Sequence, residues 1–353
     1  MDFGLFVACQ RFDNSLTSRE LFEQGLETVK LADEAGFRVV WFPEHHLIHF
    51  ISCPSPLLFV IKAAERTRHC RVGTAIVTVP YYHPLRLAGE IAMADNLIDG
   101  RLEVGVARGA YDYEYTRFGL ANEVVAAERF REGMEIVHGL LTTEDFSYQG
   151  KTYSFGPSTV VPKPIQQPHP PIWVAARSPE TIRFALQHGY NLMGAAQQEP
   201  FSRVEKVVTG FKRFIQEVNP PRMPKIGFSR MMFVAPTDGE ALDAMQAVLV
   251  NHRIFLGLYR NEVALKGGFT APYPPEPLED EYAPEQLLEH IVAGAPDTVV
   301  EKVKMYEKIG VDHLILQAAV GTSHAATMKS LRLFAERVMP HFQRGAPPAG
   351  DTA

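Results

Sequence analysis

The residues of this sequence with the clearest capacity for chemistry are an acid and two histidines in a row, Glu44, His45 and His46. An apolar segment, 39–42, precedes them, and a further histidine, His49, stands three residues later. Imidazole gains and loses a proton near neutral pH, so His45 is predicted to act as a general acid or base. His46 is expected to have a structural part, with its ring bonded to Glu44 or to a backbone carbonyl. His49 has no assigned role.

Three histidines within five residues could also bind a metal ion. Adjacent residues of an extended strand point to opposite faces, however, so His45 and His46 would not bind one ion together. The sequence has neither the HxH nor the HExxH spacing of common zinc sites. We therefore expect no metal here, and a metal-dependent hydrolase is the least favoured alternative.

Strand-like and helix-like segments alternate along the chain and decide where these residues lie. The predicted strands are short and apolar throughout, as expected for parallel strands that are covered on both faces. They fall at 2–9, 37–42, 71–79, 101–108, 171–176, 191–196, 225–235 and 311–317, each followed by a helical segment. These eight units predict an α/β fold, a (β/α)8 TIM barrel. An open doubly wound sheet is the main alternative, but no glycine-rich dinucleotide motif follows the first strand.

Two insertions interrupt this repeat. Residues 144–165 alternate around a glycine and predict a hairpin. Residues 258–290 contain two adjacent glycines and several prolines, and their length and position predict a lid-like excursion over the barrel mouth. A loose surface loop is the alternative. The stretch 1–344 is predicted to be a single barrel domain, followed by a disordered tail at 345–353.

The composition argues against several classes of partner. The net charge is −6 and the isoelectric point is near 6.1, which disfavours a nucleic-acid backbone or an anionic membrane as partner. The longest apolar runs are too short to cross a bilayer. The three cysteines, Cys9, Cys53 and Cys70, are odd in number and unpatterned, which fits reduced, buried thiols and a cytoplasmic location.

The active site of a TIM barrel lies at the carboxyl ends of its strands, so the residues that follow each strand are candidates for binding. Arg177 and Ser178 open the helix after the fifth strand, and Thr181 lies in its first turn. The free N–H groups of this turn, the hydroxyl and the guanidinium would together bind an anion. Arg108 could reach the same anion, and Gly109 would let a ligand approach the backbone. Alternatively, Ser178 only caps its helix and Arg177 is solvated.

Aromatic side chains at the same edge predict a pocket for a small or medium apolar organic molecule. The candidates for its lining are Trp41, Phe42, Tyr81, Tyr82 and Tyr111. Trp41 and Phe42 stand within the second strand and could equally belong to the core.

Several of these segments together resemble one enzyme family. The stretches "VVWFPEHH", "VGTAIVTVPYYHPLRLAGEIAMADNLIDGRLEVGVARGAYD" and "PIWVAARSPETIRFALQHG" are similar to the bacterial luciferase-like flavin-dependent monooxygenases, with a close likeness to luciferase α subunits around 39–120. The resemblance implies the same (β/α)8 barrel. It also implies an enzyme that takes reduced FMN from a separate flavin reductase, reacts it with O2 to a flavin C4a-(hydro)peroxide and oxidises an organic substrate. A homodimer packed through the first few helices is a further implication.

The resemblance also assigns roles to residues. His45 matches the family's catalytic histidine, and Glu44 is expected to orient the histidine pair. The step from Ala75 to Ile76 matches a non-prolyl cis peptide that lies against the flavin ring. The positions that match phosphate-binding residues are Arg108, Arg177, Ser178 and Thr181.

Two positions depart from the luciferase α subunits. Ala107 stands where they carry a reactive cysteine, which argues against a luciferase-like thiol effect and against light emission. Arg177 stands where they carry an acid, which adds positive charge beside the expected phosphate.

Two other functions stay open at this point. One is a dehydrogenase or reductase that uses the deazaflavin F420 on the same barrel, in which His45 would take the proton of an alcohol as hydride leaves. The other is a non-catalytic partner subunit that stabilises an active homologue.

Overall fold

Strands and helices alternate along most of the chain. A computed structural model describes residues 1–271 and 283–342. The strands are β1 (Asp2–Phe6), β2 (Val39–Phe42), β3 (Arg71–Thr78), β4 (Leu102–Ala107), β5 (Phe146–Gln149), β6 (Ser154–Ser158), β7 (Ile172–Ala175), β8 (Asn191–Ala195), β9 (Ile226–Val234), β10 (Leu265–Lys266), β11 (Phe269–Thr270), β12 (Val292–Gly294) and β13 (His313–Gln317). The helices are α1 (Ser18–Glu34), α2 (Pro56–Ala64), α3 (Pro84–Leu97), α4 (Asp112–Arg117), α5 (Glu123–Thr142), α6 (Pro179–Gln187), α7 (Phe201–Val218), α8 (Asp238–Arg260), α9 (Pro284–His290), α10 (Pro296–Lys308) and α11 (His324–Arg337).

Eight of these strands close into a ring. The order is β1, β2, β3, β4, β7, β8, β9 and β13, and β13 pairs back onto β1. Every pairing in the ring is parallel, and a helix follows each strand. The predicted (β/α)8 TIM barrel is therefore confirmed. A further short strand, β12, pairs in parallel with the carboxyl-terminal part of β9; its three residues are too few to show a strand pattern in the sequence.

Side chains of the barrel strands alternate between the barrel interior and the surrounding helices. The buried inner layer consists of Val39, Trp41, Trp173, Met193 and Ile315. Val40 and Phe42, on the same strand as Trp41, belong instead to the larger cluster between strands and helices. Gly73 makes room for the inner layer, because a Cβ atom there would stand 2.7 Å from the indole of Trp41. The period of two along each strand therefore sets which residues can face the mouth of the barrel.

Polar groups at the amino-terminal end of the barrel are paired with one another. Glu103 accepts hydrogen bonds from Nε of Arg71 at 2.5 Å and from Nε1 of Trp173 at 2.6 Å. Trp41 donates through Nε1 to Nε2 of His313 at 2.9 Å. Burial lowers the pKa of His313 to about 3, so its ring is neutral and serves as an acceptor in the core.

The predicted hairpin insertion is present as the antiparallel pair β5 and β6. The predicted excursion at 258–290 begins later than expected, because α8 continues through Gly257 to Arg260. A glycine suits that position, since a Cβ atom there would stand 2.7 Å from the side chain of Val263. The hairpin β10–β11 follows and α9 ends the segment, while 272–282 and the predicted tail at 345–353 lie outside the described residues.

No helix within 1–271 or 283–342 is both long enough and apolar enough to cross a membrane. The three cysteines are buried and free. Burial raises the pKa of Cys9 to about 12, and burial together with Asp33 raises the pKa of Cys70 to about 12. Thiols of this kind are unreactive at neutral pH.

Candidate active site

His45, at the carboxyl end of β2, is held by Glu114 on helix α4. Nδ1 of His45 lies 3.2 Å from Oε1 of Glu114, and Glu114 is only 1% exposed. An ionised carboxylate can only accept hydrogen bonds, so Nδ1 carries the proton and Nε2 is left to take or give one. The ring also stacks on Tyr111, with 4.6 Å between ring centroids. The plane and the protonated nitrogen of His45 are therefore both fixed.

Glu114 accepts hydrogen bonds from three further donors. The backbone nitrogen of His46 donates at 2.7 Å, the hydroxyl of Tyr113 at 3.2 Å and that of Tyr81 at 3.3 Å. Burial opposes ionisation of Glu114, but the charge and hydrogen bond of His45 and the His46 backbone outweigh it and hold its pKa below the usual value. Glu114 is thus a buried carboxylate kept ionised beside an imidazole.

The second carboxylate, Glu44, holds His46. Oε1 of Glu44 lies 2.8 Å from Nε2 of His46 and accepts from the Tyr82 hydroxyl at 3.1 Å, while Oε2 accepts from the backbone nitrogen of Thr78 at 2.7 Å. Burial raises the pKa of Glu44 in spite of these bonds. The expected bond between His46 and Glu44 is present, but the expectation that Glu44 orients both histidines does not hold for His45.

Sequence reasoning missed Glu114. Its helix, Asp112–Arg117, has six residues, too few to show a helical period. Its closeness to His45 depends on the ring order, in which only β3 lies between β2 and β4. The one local signal is an acid flanked by Tyr113 and Tyr115 shortly after a strand end.

Trp41 and Phe42 lie in the core, the alternative that the sequence left open. Both side chains are fully buried. Trp41 belongs to the inner layer of the barrel. Phe42 faces the helices and packs against Phe59, with 4.7 Å between ring centroids. The placement of Phe42 in a substrate pocket is therefore corrected, because its strand turns it away from the barrel interior.

The three tyrosine candidates lie around the histidines. Tyr111 is buried against the ring of His45, so it supports the site from within the protein. Tyr81 and Tyr82 are half-buried and donate to Glu114 and Glu44, respectively. The polar ends of all three are thus turned toward the carboxylate–histidine pairs or the protein interior.

Small side chains leave the barrel mouth open above the inner layer. Ala75 and Ala175 pack on that layer. Ala107 ends β4, and Ala195, two residues beyond the inward-facing Met193, is exposed at the end of β8. We call these four residues, on four adjacent strands, the alanine floor. An apolar surface of small side chains suits a planar ring.

The backbone around this floor has two special positions. The bond between Ala75 and Ile76 is a non-prolyl cis peptide, as the resemblance implies. Gly109 has a φ of +95°, and a Cβ atom there would stand 2.9 Å from Thr78. Backbone conformation and packing therefore require glycine at 109, independently of any ligand.

The turn at the start of α6 carries two hydroxyl groups. Oγ of Ser178 accepts from the backbone nitrogen of Thr181 at 3.3 Å, and the two side-chain oxygens are 3.0 Å apart. Arg177 is exposed and donates through Nη1 to the hydroxyl of Tyr259 at 3.3 Å. Ser178 thus caps the helix, and the remaining donors of the turn stand beside a cation.

Arg108 is directed toward another acid. Its Nη2 atom lies 2.9 Å from Oε2 of Glu123, and both side chains are exposed. Strands β4 and β7 pair as far as Val106 and Val174, so the loops that hold Arg108 and Arg177 leave the barrel side by side. In this arrangement Arg108 is paired with Glu123.

His49 joins the barrel rim to the hairpin β10–β11. Its backbone nitrogen donates to the carbonyl of Gly268 at 2.8 Å, and its ring lies 4.2 Å from that of Phe269. The guanidinium of Arg11 stands 5.7 Å from the centroid of the same phenyl ring. Loops after β1 and β2 therefore hold this hairpin at the mouth, a role that the sequence did not indicate.

The histidines at the mouth are committed to different carboxylates, His45 to Glu114 and His46 to Glu44. Within the described part of the chain, no group of three or more histidine, cysteine, aspartate or glutamate side chains is placed to hold a metal ion.

Comparison with known proteins decides the family. The family model for luciferase-like monooxygenases matches residues 1–313. This chain belongs to the luciferase-like monooxygenase family. The resemblance seen in the sequence is thereby confirmed, and with it the expected enzyme class, an oxidoreductase of the monooxygenase type.

Relatives within the luciferase-like monooxygenases align with nearly the whole chain. The flavin-dependent trigonelline monooxygenase, oxygenase component, of Acinetobacter baylyi is 33% identical over 97% of this chain and 96% of its own length. Limonene 1,2-monooxygenase of Rhodococcus erythropolis is 26% identical over 99% of this chain and 88% of its own length. The crystal structure of a monooxygenase from Streptomyces bottropensis matches with a TM-score of 0.82 and 28% identity, over 97% of this chain and 100% of that chain.

Proposed function

We propose that this chain is the oxygenase component of a two-component monooxygenase, which takes reduced FMN from a separate flavin reductase and uses O2 to oxidise a small or medium, largely apolar organic molecule. The observation that carries the proposal is the His45–Glu114 pair, with 3.2 Å between Nδ1 and Oε1, at an open barrel mouth. The name of the 33% identical relative, a flavin-dependent oxygenase component, supports the cofactor and the separate reductase.

The residues at the mouth fit a flavin mononucleotide. The alanine floor offers an apolar surface of small side chains for the ring system. The α6 turn offers N–H groups, the hydroxyls of Ser178 and Thr181 and the charge of Arg177 for the phosphate. Arg108 would join them only by leaving Glu123, an exposed ion pair that holds it weakly. Reduced flavin, when bound, would supply the electrons that activate O2.

The protein's own groups then have separate tasks. Nε2 of His45 holds or moves a proton at the mouth, because Glu114 keeps the proton on Nδ1. Glu44 and His46 keep the adjoining loop in place through Thr78 and Tyr82. The hairpin β10–β11 covers part of the mouth and limits the access of water.

We further infer that the chain forms a homodimer through α2 and α3. The outer faces of these helices expose Leu58, Met93 and Leu97, at 70%, 54% and 55% of their full surface. Large apolar side chains grouped on neighbouring helices are typical of surfaces covered by a partner. Sedimentation analysis of the chain and of the triple variant with Leu58, Met93 and Leu97 changed to serine measures this. A native chain that sediments as a monomer would contradict it.

An anaerobic titration tests the cofactor. The purified chain is titrated separately with reduced FMN, oxidised FMN and reduced F420, with binding followed by flavin fluorescence and equilibrium dialysis. We expect reduced FMN to bind at least about tenfold tighter than the other two, a difference of roughly 1.4 kcal/mol. Tighter binding of reduced F420 would instead support a dehydrogenase on this barrel.

A turnover measurement tests the catalytic role against that of a non-catalytic partner subunit. The complex with reduced FMN is mixed with O2, and flavin reoxidation and H2O2 release are followed in the native chain, in His45→Ala and in His69→Ala. His69 is exposed at the opposite end of the barrel, before β3, and is the matched control. We expect only His45→Ala to change the rates; unchanged rates in it would support the non-catalytic reading.

A further inference from the structure

The wall of the barrel mouth is apolar on one side and polar on the other. Four adjacent strands, β3, β4, β7 and β8, contribute the alanine floor. The next strands in the ring, β9, β13 and β1, contribute Ser229, Gln317 and, just beyond its end, Gln10. We call these three residues the polar arc. They have no part in the proton transfer or the phosphate binding described above.

Ser229 and Gln317 face the barrel interior. Ser229 pairs in register with the inward-facing Ile315 and with Ala195 of the floor. Gln317, two residues beyond Ile315, donates through Nε2 to Oγ of Ser229 at 2.8 Å. Ser229 is 7% exposed. Within the described part of the chain, this bond leaves the Ser229 hydroxyl proton, one N–H group and the amide oxygen of Gln317 open to a ligand.

Gln10 adds an acceptor that is buried without a partner. Its Nε2 donates to Oδ1 of Asn251 at 2.7 Å, which fixes the amide. Its Oε1 atom is buried and accepts no hydrogen bond within the described residues. A buried amide oxygen left unpaired has lost its hydrogen bonds to water and gained none from the protein. An acceptor of this kind, in the loop that follows β1, is suited to a donor supplied by a ligand.

We propose that the polar arc binds a neutral hydrogen-bonding group of the organic substrate, such as a ketone, a hydroxyl or an amide. This inference rests on the proposed function and narrows its substrate to an apolar skeleton that bears such a group. The arc and Asn251 carry amides and a hydroxyl but no charge, so an ionised group placed there would lose water without gaining a counter-ion. A plain hydrocarbon would leave the open donors and acceptors of the arc without partners.

Matched probes test the arc without knowledge of the natural substrate. Cyclohexanone and methylenecyclohexane have nearly the same shape, but only the ketone accepts a hydrogen bond. Binding of each is measured by ligand-observed NMR to the native chain, to Gln317→Met and to Ser229→Ala, with and without reduced FMN. Gln187→Met, an exposed glutamine at the end of α6, is the matched control. The affinity for reduced FMN is measured in every variant.

We expect the native chain to bind the ketone roughly tenfold tighter than the alkene, since an unmade hydrogen bond to a buried polar group has about that effect. Gln317→Met and Ser229→Ala should reduce the preference to less than about threefold, with reduced FMN bound as in the native chain. Equal binding of the two probes, no binding of the ketone, or a preference that survives in Gln317→Met overturns the proposal. A tenfold loss of reduced FMN binding in Gln317→Met also overturns it, because the arc would then serve the flavin.

The measurement without flavin separates this inference from the proposed function. A ketone preference in a chain that binds no reduced FMN would support the arc and reject the cofactor. Reduced FMN binding without a ketone preference would support the cofactor and reject the arc.

Discussion

Oε1 of Glu114 lies 3.2 Å from Nδ1 of His45, although 69 residues separate the two in the chain. The same oxygen accepts the backbone N–H of His46 at 2.7 Å. One buried carboxylate therefore fixes both the ring and the loop of the candidate catalytic histidine. We infer that Glu114 positions His45 and keeps its Nε2 atom available for proton transfer.

The first prediction concerns this pair. Glu114→Gln keeps the shape of the side chain but removes the charge that supports a proton on Nδ1 of His45. We expect the rate of the proton-dependent step to fall about 10- to 100-fold, which is at or below the lower end of the range for a general acid or base itself, because Glu114 acts through His45. Binding of reduced FMN should change by less than about threefold. Stopped-flow reoxidation of reduced flavin across pH 6 to 9 measures the rate and its pH dependence.

The control for this substitution is Glu128→Gln, which removes an exposed carboxylate paired with Lys151, 2.8 Å away, on another part of the surface. A purely structural role of Glu114 would lower the amount of folded protein without moving the pH profile. A Glu114→Gln variant with native rate and native pH profile would rule out the positioning role.

The positions of the strands follow from the sequence, because continuous apolar runs and capped helices are local features. The bond between His46 and Glu44 is also local, since two residues separate them. The contact of His45 with Glu114 and that of His49 with Phe269 depend on which loops meet at the mouth. No local pattern carries that information, and the family resemblance did not supply it either.

The direction of the Phe42 side chain is a second feature that the sequence alone does not decide. A one-residue step along a strand reverses the direction of a side chain, so Trp41 and Phe42 cannot both face the interior. The prediction that both line one pocket rests on their aromatic character alone. Their opposite packing, on the inner layer and on Phe59, follows only from the register of β2 within the ring.

The second prediction concerns the phosphate. Arg177→Gln should weaken reduced FMN binding about tenfold while it changes reduced riboflavin binding by less than about twofold, because riboflavin has no phosphate for the α6 turn. Fluorescence titration of both flavins measures the difference. Arg183→Gln, on the exposed side of the same helix and 3.7 Å from Glu217, is the control. Equal weakening of both flavins would place Arg177 elsewhere than at the phosphate.

The third prediction concerns the hairpin at the mouth. Phe269→Ala removes the ring that contacts His49 and Arg11, so the hairpin should cover the mouth for a smaller fraction of the time. We expect H2O2 release per flavin oxidised to rise severalfold, because water reaches the site more easily. Lys266→Ala, an exposed residue of the same hairpin, should behave like the native chain. Unchanged H2O2 release in Phe269→Ala would show that this contact does not limit access.

The fourth prediction concerns pH and stability. His313 is buried, accepts a hydrogen bond from Trp41 at 2.9 Å and has a pKa lowered by burial to about 3. Its usual pKa is about 6.5, so below that pH the unfolded chain takes up a proton that the folded chain does not bind until about pH 3. The contribution of His313 to stability is therefore complete above about pH 6.5 and is lost as the pH falls. At about 1.4 kcal/mol per pH unit, roughly 2 kcal/mol is lost between pH 7 and pH 5.

His313→Gln keeps an acceptor for Trp41 without a titrating group, so its free energy of unfolding in urea should fall less over this interval by about that amount. His69→Gln, which replaces an exposed histidine, should keep the native pH dependence. An equal decrease in the native chain and in His313→Gln would mean that protonation of this ring does not limit stability in acid.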